Sequence, residues 1–190
     1  MNCVGSERKH INKRNEIHGK AEREKTNVMR ILEQKGIPFT PHTYPHEEGV
    51  AVDGASVARS LGQDPECVFK TLVARGASKA IYVFDIPVED TLDLKKAAKA
   101  VGEKSIAMLH QKELLPLTGY VHGGCSPVGM KKQYPTVFHR TALDYETVYI
   151  SAGKIGAQVE LAPRALLDLL GGLHGGHCRG PGIGPGGVPG

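Results

Sequence analysis

Two apolar runs, residues 67–74 (CVFKTLVA) and 80–86 (AIYVFDI), stand a hairpin's length apart and constrain this 190-residue chain more than any other feature. Both are rich in β-branched and aromatic residues, which suit a pleated, half-buried surface, so the pair predicts two adjacent central strands. Lys70 interrupts the first run between Phe69 and Thr71. A cation inside such a strand is costly to bury unless it projects into a cleft or finds a partner. The bland reading is a lysine on a solvated strand face; the functional reading makes Lys70 the leading catalytic candidate.

The remaining elements follow from caps and stop signals. Thr26 or Asn27 can cap a helix that places Val28, Ile31 and Leu32 on one face and stops at Gly36. Residues 39–44 read as a short strand, and Pro38, Pro41 and Pro45 confine that stretch to an edge or a loop. Asp53 precedes a helix over 55–61, and Asp93 caps a third over 94–101 with lysines on its outer face. A short strand at 106–109, a helical turn at 111–115, strands at 136–141, 147–151 and 157–161, and a helix from Pro163 to Leu170 complete the order. Strands and helices mix without strict βαβ alternation. The expected fold class is α/β, a single compact domain in which helices surround a mixed, strongly twisted, barrel-like β-sheet.

Charge separates the flanks from the body. Residues 1–25 hold seven Lys or Arg against four Asp or Glu, whereas 26–170 balance at sixteen of each. A neutral body argues against broad nonspecific nucleic-acid binding but leaves room for a few specific phosphate contacts. Ten of the 24 glycines fall in residues 171–190, a stretch with too little apolar surface to offset the entropy of ordering. The expected organisation is therefore a basic extension (1–25), a folded body (26–170) and a Gly/Pro-rich tail (171–190). No apolar stretch suits a signal peptide or a membrane span, which points to a cytoplasmic protein. Cys3, Cys67, Cys125 and Cys178 make no C-x-x-C pair, so neither a metal site nor a disulfide framework is indicated, and no cofactor motif stands out.

Residues 120–132 (YVHGGCSPVGMKK) crowd backbone-permissive and chemically useful residues together. Gly123 and Gly124 allow a ligand to approach the main chain, and a loop of this kind can aim N–H groups at an oxygen that gains negative charge. Lys131 lies where a phosphate could meet it. A glycine-rich surface turn is the plain alternative. Cys125 invites a nucleophilic reading, yet no histidine except neighbouring His122 is placed to take its proton, so it is expected to pack beneath the loop.

The runs FKTLV, LDLKKAAKAVG, TGYVHGGCSPVGMKK and YISAGKIGAQVELAP, in this order over about 26–170, together resemble the YbaK family of Cys-tRNA(Pro) deacylases. The resemblance implies hydrolysis of the ester between a misattached amino acid and the tRNA 3′-adenosine. Its partners would be aminoacylated tRNA and, in a ternary complex, prolyl-tRNA synthetase. It also implies that Lys70 holds the terminal phosphate or the substrate carbonyl, that Tyr44 lines the amino-acid pocket, and that Gly123, Gly124, Ser126 and Ser151 belong to the site. In that family the substrate's own thiol is thought to attack its carbonyl, so no protein nucleophile is required. Ala152, Ile155 and Cys125 depart from the family's usual glycine, arginine and apolar residue.

A chain trimmed to residues 26–170 is expected to fold with an unchanged thermal midpoint and to retain deacylation. A well-folded but inactive product at saturating substrate would show that a flank takes part in substrate placement.

Overall fold

The computed structural model describes residues 25–47 and 49–171, so the expectations for the two flanking segments lie almost entirely outside it. In chain order the elements are α1 (Asn27–Gln34), β1 (Phe39–Thr43), α2 (Gly54–Ser60), a 3₁₀ turn (Pro65–Cys67), β2 (Phe69–Gly76), β3 (Ile81–Pro87), α3 (Leu94–Ala100), β4 (Ile106–Met108), α4 (Gln111–Thr118), β5 (Thr136–Phe138), a second 3₁₀ turn (Arg140–Asp144), β6 (Val148–Ser151), β7 (Ala157–Leu161) and α5 (Pro163–Leu169). Three helices start where the sequence provides a cap. Thr26 Oγ1 accepts from the Met29 N–H at 3.3 Å, Asp53 from Ser56 at 2.9 Å, and Asp93 from Lys95 and Lys96 at 3.0 Å each.

The mixed α/β domain carries two sheets in place of the single barrel-like sheet expected. One has the order β1-β7-β6, all antiparallel; the other has the order β4-β2-β3-β5, antiparallel except where β5 runs parallel to β3. They touch through one parallel bridge, Val68 to Tyr149, at the point where the Pro65–Cys67 turn delivers the chain into β2. The turn precedes that pair, and among the described residues no longer ladder joins the two sheets. Barrel closure therefore stops at one bridge.

One apolar interior lies between the sheets. Phe69, Val73, Val83 and Phe138 from the four-stranded sheet meet Val148, Ile150, Val159 and Leu161 from the three-stranded one, with Val28 and Leu32 of α1 and Leu166 of α5 closing the sides. The far face of the four-stranded sheet is covered by α3, whose Ala97 and Ala98 pack on Ala74, Phe84 and Ile86. This division follows from period-two alternation along β2 and β3.

Most boundaries shift by one or two residues, and two differ from the expectation by three. The helical turn at 111–115 is a full helix to Thr118 that carries Pro116 inside it, ended by Gly119 in the left-handed conformation. Side chains from downstream satisfy its last carbonyls: Tyr134 Oη donates to Leu117 O at 3.0 Å and Lys131 Nζ to Pro116 O at 3.4 Å. The strand at 136–141 ends at Phe138 because the chain turns into the 3₁₀ segment at Arg140.

Phe84 is fully buried under α3. Phe84→Ala is expected to lower unfolding free energy by about 3–5 kcal/mol, read from urea melts, because the α3 face cannot collapse into the void without losing its own contacts.

Candidate active site

A cavity of about 270 Å³ opens where the two sheets diverge beside their single bridge. Its walls come from elements far apart in sequence: Phe69–Leu72 at the start of β2, Ser151 at the end of β6, Gln158 of β7, Tyr44 just after β1, residues 51–54 leading into α2, and His122, Gly123 and Cys125 of the glycine loop. Tyr44 is held there through its main chain, whose N–H donates to Gly156 O at 3.0 Å. The volume and mixed lining suit a small polar ligand rather than an extended one.

Lys70 is half-buried in this cavity and is, among the described residues, the sole lysine or arginine of its lining. Burial pulls its ammonium below the usual lysine range, and the carboxylates of Asp90 and Asp53 offset part of that effect. The cation thus faces the cavity with few competing contacts. Asp53 is otherwise occupied, since its carboxylate caps α2 by accepting from both the N–H and the hydroxyl of Ser56.

The glycine loop is built for close approach. Gly123 has φ +83°, and a Cβ there would come within 2.7 Å of Ala51 Cβ; a Cβ at Gly124 would meet Ile155 N at 3.0 Å and Lys154 Cα at 3.1 Å. The loop therefore packs main chain to main chain against the turn after β6. Beneath it Tyr120 is buried and donates its hydroxyl to Val128 O at 2.6 Å, while the Lys131 N–H closes the loop base on Thr118 O at 2.9 Å.

The structure brings four of the sequence candidates together: Tyr44, Lys70, Gly123 and Ser151 all line the cavity. Gly124, Ser126 and Lys131 stand behind or beside it. The Gly124 N–H donates to Val121 O at 3.1 Å, so that group is committed within the loop. Ser126 is fully buried and its hydroxyl accepts from the Val128 N–H at 3.3 Å, and Lys131 reaches the end of α4 as described above. Ser151 Oγ accepts from the Gly153 N–H at 3.2 Å. Cys125 is buried at the cavity wall, and desolvation, with Asp85 nearby, pushes its thiol up to about 12. A thiol held in that range is a poor nucleophile near neutral pH.

Two residues escaped the sequence reading. Gln158 lines the cavity with a buried carboxamide oxygen that has no partner among the described residues. Asp85, opposite Thr71 in the β2–β3 ladder, is fully buried; Thr71 Oγ1 donates to its Oδ1 at 2.6 Å and its Oδ2 has no partner among the described residues. Burial raises its carboxyl from the ordinary 3.8 to about 8, with the Thr71 hydrogen bond opposing. The signal was present in the run AIYVFDI, where an acid stands two residues from Val83 on the same strand face.

Comparison with known proteins places these features in context. A model of the aminoacyl-tRNA editing domain matches residues 48–169. The candidate Cys-tRNA(Pro)/Cys-tRNA(Cys) deacylase EbsC of Enterococcus faecalis is 46% identical over 153 residues, covering 80% of this chain and 93% of its own. A crystal structure of a candidate trans-editing enzyme for prolyl-tRNA synthetase superposes with a TM-score of 0.65 at 27% identity, over 76% of this chain and 89% of that one. A hypothetical protein shares the fold, with a TM-score of 0.67 at 24% identity over 76% and 93% of the two chains.

Asp85 gives a pH signature. Its folded value lies above its unfolded one, so from about pH 4 to pH 8 the unfolded chain has lost a proton that the folded chain keeps. Rising pH then favours unfolding over this window. Asp85→Asn is expected to flatten that slope in denaturation midpoints collected across it, and equal slopes in the two proteins would show an ionised Asp85.

Proposed function

Because the chain belongs to the aminoacyl-tRNA editing domain family and is an aminoacyl-tRNA deacylase, we propose that it clears cysteine from tRNA(Pro) by substrate-assisted ester cleavage in the Lys70 cavity. The observation that carries this reading is the combination of a desolvated cation with an absence of activated nucleophiles in the cavity lining among the described residues. Among the thiol and aliphatic hydroxyl groups of the lining, Cys125 is held as a thiol, Ser151 accepts a main-chain hydrogen bond, and Thr71 has its proton engaged with the buried Asp85 carboxyl.

The cysteinyl ester enters with its carbonyl oxygen toward Lys70 Nζ and its side chain between Tyr44 and the wall formed by Val57, Val68 and Val88. The ligand's sulfur then attacks its own carbonyl carbon. A C–S bond forms, the ester C–O bond breaks, and the thiol proton passes to the departing ribose oxygen, giving free tRNA and a cyclic thiolactone that water opens afterwards. Lys70 stabilises the oxyanion of the tetrahedral intermediate, and the Gly123 segment holds the terminal ribose against the main chain. Proximity of this kind contributes about 7–11 kcal/mol when the geometry is right, which removes the need for a protein nucleophile. Lys131 and the exposed loop rim supply phosphate contacts outside the cavity. The similarity to a trans-editing enzyme for prolyl-tRNA synthetase supports action on tRNA(Pro), within a ternary complex with that synthetase.

Lys70→Ala is expected to slow single-turnover deacylation of Cys-tRNA(Pro) by roughly tenfold to a thousandfold, or about 2–4 kcal/mol, without loss of fold. Ser-tRNA(Pro) and Ala-tRNA(Pro), which lack the thiol, are expected to be poor substrates. Equal rates on Ala-tRNA(Pro) would instead indicate attack by water, and a trapped acyl adduct on Cys125 would indicate an acyl-enzyme.

A further inference from the structure

Resting on the reading of the cavity as the site that holds the aminoacyl ester, we propose that Asp85 is a positioning residue that fixes the Thr71 hydroxyl as an acceptor for the ligand's α-ammonium group. Thr71 and Asp85 are direct cross-strand partners in the β2–β3 ladder, and the 2.6 Å hydrogen bond uses the one proton that Thr71 owns. Thr71 lines the cavity next to Lys70, whereas Asp85 lies behind it and is fully buried. What the hydroxyl still presents to the cavity is lone pairs. A group with only lone pairs to offer, in the same lining as a lysine with only N–H donors to offer, selects a ligand bearing both an acceptor and a donor: the carbonyl toward Lys70 and the ammonium toward Thr71. A free aminoacyl ester has that pattern, and an N-acylated one has lost the cationic half.

Placing an acid behind the wall has a structural cost, since its second oxygen is buried without a partner. A valine at this position would extend the apolar interior, where Val83 already sits two residues away on the same face. The acid is therefore not explained by packing. Its near-neutral titration agrees with the geometry, because a protonated carboxyl keeps a carbonyl oxygen available to Thr71 without an ionised charge beside the Cys125 thiol, the other titratable group facing it.

The test compares wild type with Asp85→Asn, Asp85→Val, Thr71→Ser, Thr71→Val and the Asp85→Val/Thr71→Val pair. Substrates are Cys-tRNA(Pro) and its N-acetyl form, and thermal midpoints are measured alongside. Wild type is expected to favour the free-amine substrate by about tenfold or more in kcat/KM, as loss of a hydrogen bond to a charged group implies. Asp85→Asn and Thr71→Ser keep that ratio, because an amide oxygen still accepts and serine still owns a hydroxyl. Asp85→Val and Thr71→Val reduce it toward one, and the double variant is no worse than either alone. Asp85→Val is also expected to be at least as stable as wild type at pH 7, which separates loss of selectivity from loss of fold. Binding of an adenosine that carries cysteine in 3′-amide linkage, with and without N-acetylation, reads the same ratio without turnover. Should the wild-type chain fail to cleave the ester, that measurement still decides the role of Asp85. An unchanged ratio in Asp85→Val, or wild-type indifference to N-acetylation, would overturn the proposal.

Discussion

Two sheets that touch through one bridged pair of residues must be held by what lies between them, and in this protein that is a single apolar interior fed from both sides. Side chains at alternate positions of β2, β3, β6 and β7 point into it, and α1 and α5 close it. Everything at the site depends on this arrangement. Beyond the Val68–Tyr149 bridge the sheets diverge, and the space they leave is the cavity. Lys70 reaches it because it is the second residue of β2, two past the bridged Val68, where a charged side chain can leave the packed interior.

Much of this was legible in the chain. The β2 and β3 runs, the caps at Thr26, Asp53 and Asp93, and the proline at the start of α5 are local signals, and local chemistry decides them. The division into two sheets was not, because strand pairing is a contest between distant segments that no local signal decides. Helix α4 runs past its local signal for a related reason. Its Pro116 argues for an early stop, while the side chains of Lys131 and Tyr134, which satisfy its last carbonyls, come from across the loop.

The site shows the same split. Tyr44, Lys70, Gly123 and Ser151 converge on the cavity, and the sequence could name them individually without fixing their neighbours. For Lys131 charge alone suggests a phosphate contact, whereas its placement at a helix end depends on a fold-level contact. Asp85 is the more instructive case, since the argument applied to a lysine within FKTLV applies equally to an acid within AIYVFDI. The two titratable residues stand on paired strands and meet different fates: one enters the cavity as a partly desolvated cation, the other is sealed behind it, where burial raises its carboxyl. In both cases the surroundings disfavour the charged state, which is the condition under which polar groups exert most force on a ligand.

The closed base of the glycine loop bears on how a ligand arrives. With the Lys131 N–H bound to Thr118 O, the Tyr120 hydroxyl bound to Val128 O and the Gly124 segment pressed against the turn at Lys154 and Ile155, the loop moves as part of the body to which it is tied. It is not a door. In the structure the cavity is open to solvent, so a ligand can reach its lining with no movement of this wall. Selectivity must in that case reside in the fixed positions of the groups that line the cavity, with no closing motion to reward the right ligand over the wrong one.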